Sequence, residues 1–307
     1  MEIDSKNVEI FYDLIDEACM EHYNDIHMDY LDAFCKVAAD ILDHFDDSRL
    51  SEDTIIKLND IYEKIYNLGF LNEEIRLALV LVIVKGLKHR MLPLDVVVPD
   101  TLGYLITYII QMIYGEKEIS ILDTSLGVCN LSLTIMNNLE NEITLVGIEK
   151  EEIFANICKA FSDYLYHEVK IYCQDFNSKV FDIVDLVIGD LDRVDNPYEV
   201  ILERVDNIKE NGNFIYIINN DFFSKMDNGF KDALSKTSTL TGLIVLPDNL
   251  TQDGHVGKSI LLGKKAVLNS YHMGILKIDS LDKDHINDVF KKIKIMIEQM
   301  EVKKWVK

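Results

Sequence analysis

The chain has 307 residues, enough for about two domains, and its 48% hydrophobic content supports a sizeable core and excludes disorder as the main state. Only 4 prolines and 14 glycines argue against collagenous or linker-rich organisation. With 53 acidic against 31 basic residues the net charge is −22, so a nucleic-acid partner requires a locally segregated basic face. The five cysteines (Cys19, Cys35, Cys129, Cys158, Cys173) are odd in number and widely spaced, which fits neither a disulfide framework nor a zinc site with the eight histidines. The acidic, amphipathic start lacks a secretory pattern. The most apolar run, 75–84, falls short of a membrane span and contains Arg76. The expectation is a soluble, cytoplasmic protein.

Residues 1–92 read as a helical domain. Phe11, Leu14, Ile15 and Ala18 recur at helical spacing, as do Leu31, Phe34, Cys35, Ala38 and Leu42. Ser51 before Glu52 and Asp53 is an N-cap signal for a helix carrying Ile55, Leu58, Ile61, Tyr62 and Ile65. Asn72 is expected to cap the next helix, which runs to about Lys88. Pro93 and Pro99 mark a connector, and 101–114 reads as an apolar helix closed by Gly115.

Residues 93–270 then change character. Expected strands at 119–122, 143–148, 169–173, 183–188 and 214–218 alternate with expected helices at 130–139, 151–165 and 198–208, which predicts a parallel α/β sheet. The strands are apolar throughout, as strands buried on both faces are. Runs at 243–246 and 259–262, joined by a polar loop with Asp253, Gly254, His255 and Gly257, suggest an antiparallel hairpin at one edge. Residues 271–307 form an extension with a helix at 286–305.

Ligands of such sheets bind beyond the carboxyl ends of the strands. There the sequence places Asp123 in the segment Asp123-Thr124-Ser125-Leu126-Gly127-Val128-Cys129-Asn130, then Glu149, Asp175, and Asp190 with Asp192. Each has an ordinary explanation: a turn cap for Asp123, a helix-dipole acid for Glu149, an Asx turn for Asp175, solvated loop acids for Asp190 and Asp192. The ordered set points instead to a nucleoside-bearing ligand, with Glu149 where a ribose diol is commonly held.

From Pro99 to Lys264 these residues resemble the class I S-adenosylmethionine-dependent methyltransferases. They are similar in particular to bacterial N6-adenine DNA methylases such as the modification subunits of type I restriction systems and their small stand-alone relatives. The family's Thr-Pro motif corresponds to Val98-Pro99-Asp100, and its Asp-Pro-x-x-Gly-x-Gly-Asn loop to Asp123–Asn130. The late hairpin motif corresponds to Gly242-Leu243-Ile244-Val245-Leu246-Pro247 with Lys258-Ser259-Ile260-Leu261. The resemblance implies S-adenosylmethionine as cofactor, bound by Asp123, Gly127, Glu149 and Asp175, with Asp190 as catalytic residue and DNA as acceptor.

The departures bear on activity. The family's Asp/Asn-Pro-Pro-aromatic motif reads Asp190-Leu191-Asp192-Arg193, keeping the carboxylate and losing both prolines and the ring; Asn196-Pro197-Tyr198 follows a few residues later. Thr124 stands for the loop's proline and Cys129 for its second glycine. Cys129 as a reactive thiol is an alternative, with no histidine near it in sequence. Gly254-His255-Val256-Gly257-Lys258-Ser259 resembles the end of a Walker A loop but lacks its first glycine and opens a strand. A nicotinamide-dependent dehydrogenase on the same sheet topology is a weaker third reading, because G-x-G-x-x-G is absent and an anionic pyrophosphate would meet Asp123. Two functions remain: a methyltransferase with full or weakened catalysis, or a non-catalytic relative acting as cofactor sensor or interaction scaffold. Lys258, Lys264, Lys265, Lys303, Lys304 and Lys307 are the lysines available for a DNA-facing patch.

Overall fold

The computed structural model describes residues 3–43, 45, 48–247, 257–268, 271, 273–282 and 284–302. The loop residues Asp253, Gly254 and His255, together with Lys303, Lys304, Trp305 and Lys307, lie outside them. The chain forms two compact units: Met1–Asp100 with Gly127–Asn138 and Glu151–Val169, and Thr101–Leu126 with Leu139–Lys150 and Lys170–Lys307.

The first unit is helical: α1 (Ser5–Ile26), α2 (Tyr30–Leu42), α3 (Glu52–Asn67) and α4 (Asn72–His89), joined by α6 (Asn130–Asn138) and α7 (Glu152–Tyr164). Helix α4 packs on α1, α2, α6 and α7. The predicted stripe of α1 (Phe11, Leu14, Ile15, Ala18) is buried, and α1 packs on α2, where Leu31, Phe34 and Ala38 of the predicted stripe are buried but Cys35 is half-buried and Leu42 is exposed. Ser51 Oγ accepts from Thr54 N at 3.3 Å, the expected cap of α3. Asn72 is not a cap. Helix α4 is capped at Leu71, whose N–H donates to Glu74 Oε2 at 3.0 Å, and Asn72 donates its side-chain N–H to Leu165 O instead.

The second unit is built on an eight-stranded sheet. Helix α5 (Asp100–Tyr114) ends at Gly115, which is left-handed at φ +62°. Then come β1 (Ile119–Asp123), β2 (Ile143–Glu149), β3 (Val169–Cys173), β4 (Val184–Asp190), α8 (Pro197–Val205), β5 (Ile208–Asn219), α9 (Phe222–Lys225) and α10 (Asn228–Leu234). The chain continues through β6 (Thr239–Val245), β7 (Lys258–Lys264), β8 (Gly274–Lys277) and α11 (Ile286–Val302). The strand order is β3-β2-β1-β4-β5-β7-β6-β8. β1 runs parallel to β2 and β4, and β4 parallel to β5, as the alternating pattern predicts. β7 inserts between β5 and β6, antiparallel to both.

The hairpin predicted at the edge is therefore inside it, because β8 adds a further strand parallel to β6. β5 begins six residues earlier than predicted, its first turn being the polar Lys209-Glu210-Asn211-Gly212 with Asn211 at φ +66°. Leu122, Val146, Val187, Phe214 and Leu261 anchor the sheet's core with Val200 and Ile201 of α8 and Phe230 of α10. The strand order reverses between β1 and β4, which makes the carboxyl ends of these strands the place to look for a ligand.

Candidate functional site

Register decides which side chains share a face. Asp123 stands opposite Gly147 on β2 and Ile188 on β4. Glu149 and Asp190 each lie two residues beyond those partners, so strand alternation puts Asp123, Glu149 and Asp190 on one face of the sheet. All three are buried, at 1%, 0% and 2% exposure. The segment after β1 is pinned on both sides of the switch point: Thr124 N donates to Ile188 O at 2.9 Å, and Leu126 N to Ile148 O at 3.0 Å. Gly147 is required here, because a Cβ would come within 2.3 Å of the Leu126 side chain.

The ordinary explanations hold unequally. Asp123 Oδ1 accepts from Ser125 N at 3.1 Å, a turn cap. Asp175 is exposed, lies two residues past β3, and accepts from Asn177 N at 2.9 Å, the Asx turn. It does not share the buried face. Glu149 differs. Helix α7 is capped at Glu151 and starts at Glu152, so Glu149 lies outside the helix's first turn; it ends β2 with no exposed surface. Gly127 and Cys129 are both left-handed, at φ +56° and +68°, and the Gly127 carbonyl accepts from Cys158 Sγ at 3.1 Å. A left-handed conformation suits glycine and costs other L-residues about 1–2 kcal/mol, so Cys129 keeps the backbone shape of the glycine whose place it takes. Its thiol is fully buried.

Asp190 is held by its own neighbours. Its Oδ1 accepts from Asp192 N at 3.0 Å, its Oδ2 from Lys258 Nζ at 3.0 Å, and its carbonyl from Ser125 Oγ at 2.8 Å. Lys258 reaches it because β7 places Lys258 opposite Asn219, two residues past the Ile217 that pairs with Asp190. Burial pushes the Asp190 carboxyl above the usual carboxylate range despite Lys258. Burial acts the other way on Lys258, yet Asp190 and Asp192 outweigh it and hold the ammonium above its ordinary range. Next to this pair Leu191, Asp192, Pro197, Tyr198, Asn219 and Phe222 line a cavity of about 220 Å³. The Pro197-Tyr198 step, a few residues later in sequence, thus lines the same cavity as the residues that directly follow Asp190.

In the helical unit the sequence reading missed Arg76. It is fully buried, forks onto Glu73 (2.7 and 2.8 Å), and donates to Asp100 Oδ1 at 2.7 Å and Asn130 Oδ1 at 2.6 Å. Asn130 in turn donates to Val98 O at 2.7 Å. The Pro99 segment and the last residue of the glycine loop therefore meet on one guanidinium. The available signal was Glu73 three residues before an arginine on an otherwise apolar helix. Lys258 left a weaker one, since its partners are 66 and 68 positions away.

Among the described residues there is no cluster of His, Cys, Asp and Glu able to hold a metal, and no helix long and apolar enough to cross a membrane. Residues 9–87 match the family model of the YtxK N-terminal helical domain. The chain is 28% identical to the uncharacterized protein YtxK of Bacillus subtilis, across 78% of this chain and 80% of that one. Its structure is similar to that of a Listeria monocytogenes protein solved as a candidate class I S-adenosylmethionine-dependent methyltransferase, with TM-score 0.79 and 21% identity over 95% of this chain and 99% of that one. It is also similar to a type I restriction-modification methyltransferase subunit of Streptococcus thermophilus, with TM-score 0.63 and 13% identity over 92% and 74% of the two chains. The fold is that of the class I S-adenosylmethionine-dependent methyltransferases.

Proposed function

We propose that this chain binds S-adenosylmethionine at the carboxyl ends of β1 and β2, as a protein of the N6-adenine DNA methylase type. Glu149 carries the reading: a fully buried carboxylate at the end of β2, outside any helix cap, on the face shared with Asp123. A ribose diol offers two O–H donors that a carboxylate accepts in a bidentate manner. Asp123, beside it, suits the positive end of the cofactor. Gly127 keeps the left-handed turn that the family's loop uses, whereas Asp175, exposed and engaged in its own turn, is the weakest of the four assignments. When bound, the cofactor supplies a methyl group on a sulfonium. Because Glu149 has no exposed surface, entry of a nucleoside requires local opening around the end of β2.

Titration calorimetry with S-adenosylmethionine and S-adenosylhomocysteine tests this. Binding that Glu149→Gln weakens about tenfold or more, the worth of one charged hydrogen bond, supports it. Absence of heat with either ligand would refute it.

A second reading, a methyltransferase fold kept for sensing or interaction without transfer, is favoured by one observation. Both carboxylate oxygens of Asp190 are already engaged, by Asp192 and Lys258, where an acceptor amine would need one. Loss of the two prolines removes the rigid placement that transfer depends on, a contribution of several kcal/mol. Transfer of tritiated methyl to unmethylated bacterial DNA separates the two. Incorporation abolished by Asp190→Ala supports catalysis through Asp190; binding without incorporation supports the sensor. Net charge opposes a duplex acceptor, and Lys258 and Lys265 are spent on internal contacts with Asp190 and the Ile208 carbonyl.

A further inference from the structure

Lys258 begins β7 and turns its side chain inward, leaving it 15% exposed beside an Asp190 side chain that is 3% exposed. Its Nζ lies 3.0 Å from Asp190 Oδ2 and 3.3 Å from Asp192 Oδ2. Asn219, the residue opposite Lys258 on β5, donates its side-chain N–H to Asp192 Oδ1 and fixes the second carboxylate. The Lys258–Asp190 pair is largely desolvated, with Asp192 at 28% exposure on its outer side, so the geometry of the pair is held by the sheet and is not an accident of long side chains in water. An ammonium presents to a carboxylate the same N–H donors, at the same distance, as a substrate amine would.

We propose that Lys258 is a built-in stand-in for the acceptor amine, occupying Asp190 and keeping amines from outside off that carboxylate. The proposal rests on reading Asp190 as the group that positions an acceptor, and it adds a regulatory device to that reading. Lys258 is not itself the methyl acceptor in this state, because a protonated amine has no lone pair to attack with, and both aspartates favour the protonated form. The lock adjoins the 220 Å³ cavity, sharing Asp192 and Asn219 with it. Withdrawal of the lysine frees the Asp190 carboxylate next to a chamber walled by Tyr198 and Phe222, whose ring centroids are 4.7 Å apart.

The test is carboxyl labelling of the full-length chain with a water-soluble carbodiimide and glycine ethyl ester, an amine, read by peptide mass spectrometry. In the starting protein Asp190 should label slowly. Lys258→Met should raise its rate about tenfold or more, and Lys258→Arg, which keeps the charge, should restore protection. Asp185, 28% exposed and paired with Lys209, should be unchanged throughout. An Asp190 that stays as slow in Lys258→Met as before overturns the proposal. So does an equal rise at Asp123, which would mean general opening of the sheet. Should Lys258→Met fail to fold, Lys258→Gln, which keeps one N–H donor without the charge, must give an intermediate rate; a rate like that of the starting protein contradicts the lock.

A calorimetric titration with S-adenosylmethionine on the same samples keeps the two ideas apart. Missing cofactor binding sinks the cofactor reading, whereas the labelling alone decides whether Lys258 shields Asp190. If both survive, Lys258→Met should transfer tritiated methyl to single-stranded unmethylated DNA faster than the starting protein.

Discussion

Replacing Arg76 with methionine keeps most of the aliphatic stem and removes only the guanidinium. That group makes four hydrogen bonds inside the helical unit, two to Glu73 and one each to Asp100 and Asn130, and carries a charge that Glu73 and Asp100 balance. Burial disfavours the charged guanidinium, yet those two carboxylates win and hold it protonated. Removing one partner of a buried pair costs about 3–5 kcal/mol, since the remaining charge is stranded. The Glu73 side chain is 9% exposed and loses its countercharge, keeping the donor from Asn137 Nδ2 at 3.0 Å; Asp100 is 32% exposed and recovers solvation, so its share is discounted. The expected loss is therefore near the lower end, about 3 kcal/mol. Urea denaturation followed by far-ultraviolet circular dichroism measures it from midpoints at matched slopes. Arg76→Met/Glu73→Gln should recover about 1–2 kcal/mol of that loss, because the stranded anion is gone. A loss below about 1 kcal/mol for the single variant, or no recovery in the double, would refute the claim that this guanidinium ties the Pro99 segment to Asn130.

Three further outcomes are expected. Gly263→Ala would put a Cβ 1.9 Å from the fully buried ring of Phe214, and should cost about 3 kcal/mol in chemical denaturation; a near-neutral result would mean that β5 and β7 are not in this register. Ser51→Ala should lower stability by about 1 kcal/mol through loss of the α3 cap, and an unchanged midpoint would count against the cap. Asp185 is pushed up by burial but pulled down more strongly by hydrogen bonds from Ser120 and Lys209, so its carboxyl sits below the ordinary value of 3.8. A carboxyl depressed on folding stabilises the protein above its unfolded value, and that contribution disappears as pH falls through the folded one. Asp185→Asn should accordingly flatten the stability profile below about pH 4 and lower stability at neutral pH; a profile as steep as before would contradict the pairing.

Local chemistry made the helices legible. Ser51 and Gly115 began or ended helices where side-chain and backbone preferences demanded it, and the apolar stripe of α1 and most of that of α2, though not Cys35 and Leu42, became their buried faces. β1, β2 and β4 were legible because most of their residues are apolar and buried on both faces, whereas β3 has no fully buried residue. Where the pattern is polar, it carried no signal: the start of β5 is Lys-Glu-Asn-Gly, and β8 is four residues with only partial burial. Of the candidate site, Asp123, Glu149 and Asp190 were picked out by their places at strand ends, and register puts them on one face. Asp175 occupies a comparable place in sequence but faces solvent, because β3 ends before it and the chain turns on its side chain. The buried contacts of Lys258 and Arg76 were not legible, since each is defined by partners that only tertiary pairing brings near: Asp190 across two strands, and Asn130 across 54 positions.

The most direct measurement is amide hydrogen exchange with and without S-adenosylhomocysteine. Binding as described should slow exchange at two separate segments, residues 123–126 after β1 and 147–150 at the end of β2, and Glu149→Gln should erase both effects together. Unchanged exchange at saturating ligand, or protection confined to some other part of the chain, would contradict a nucleoside site at the ends of these strands.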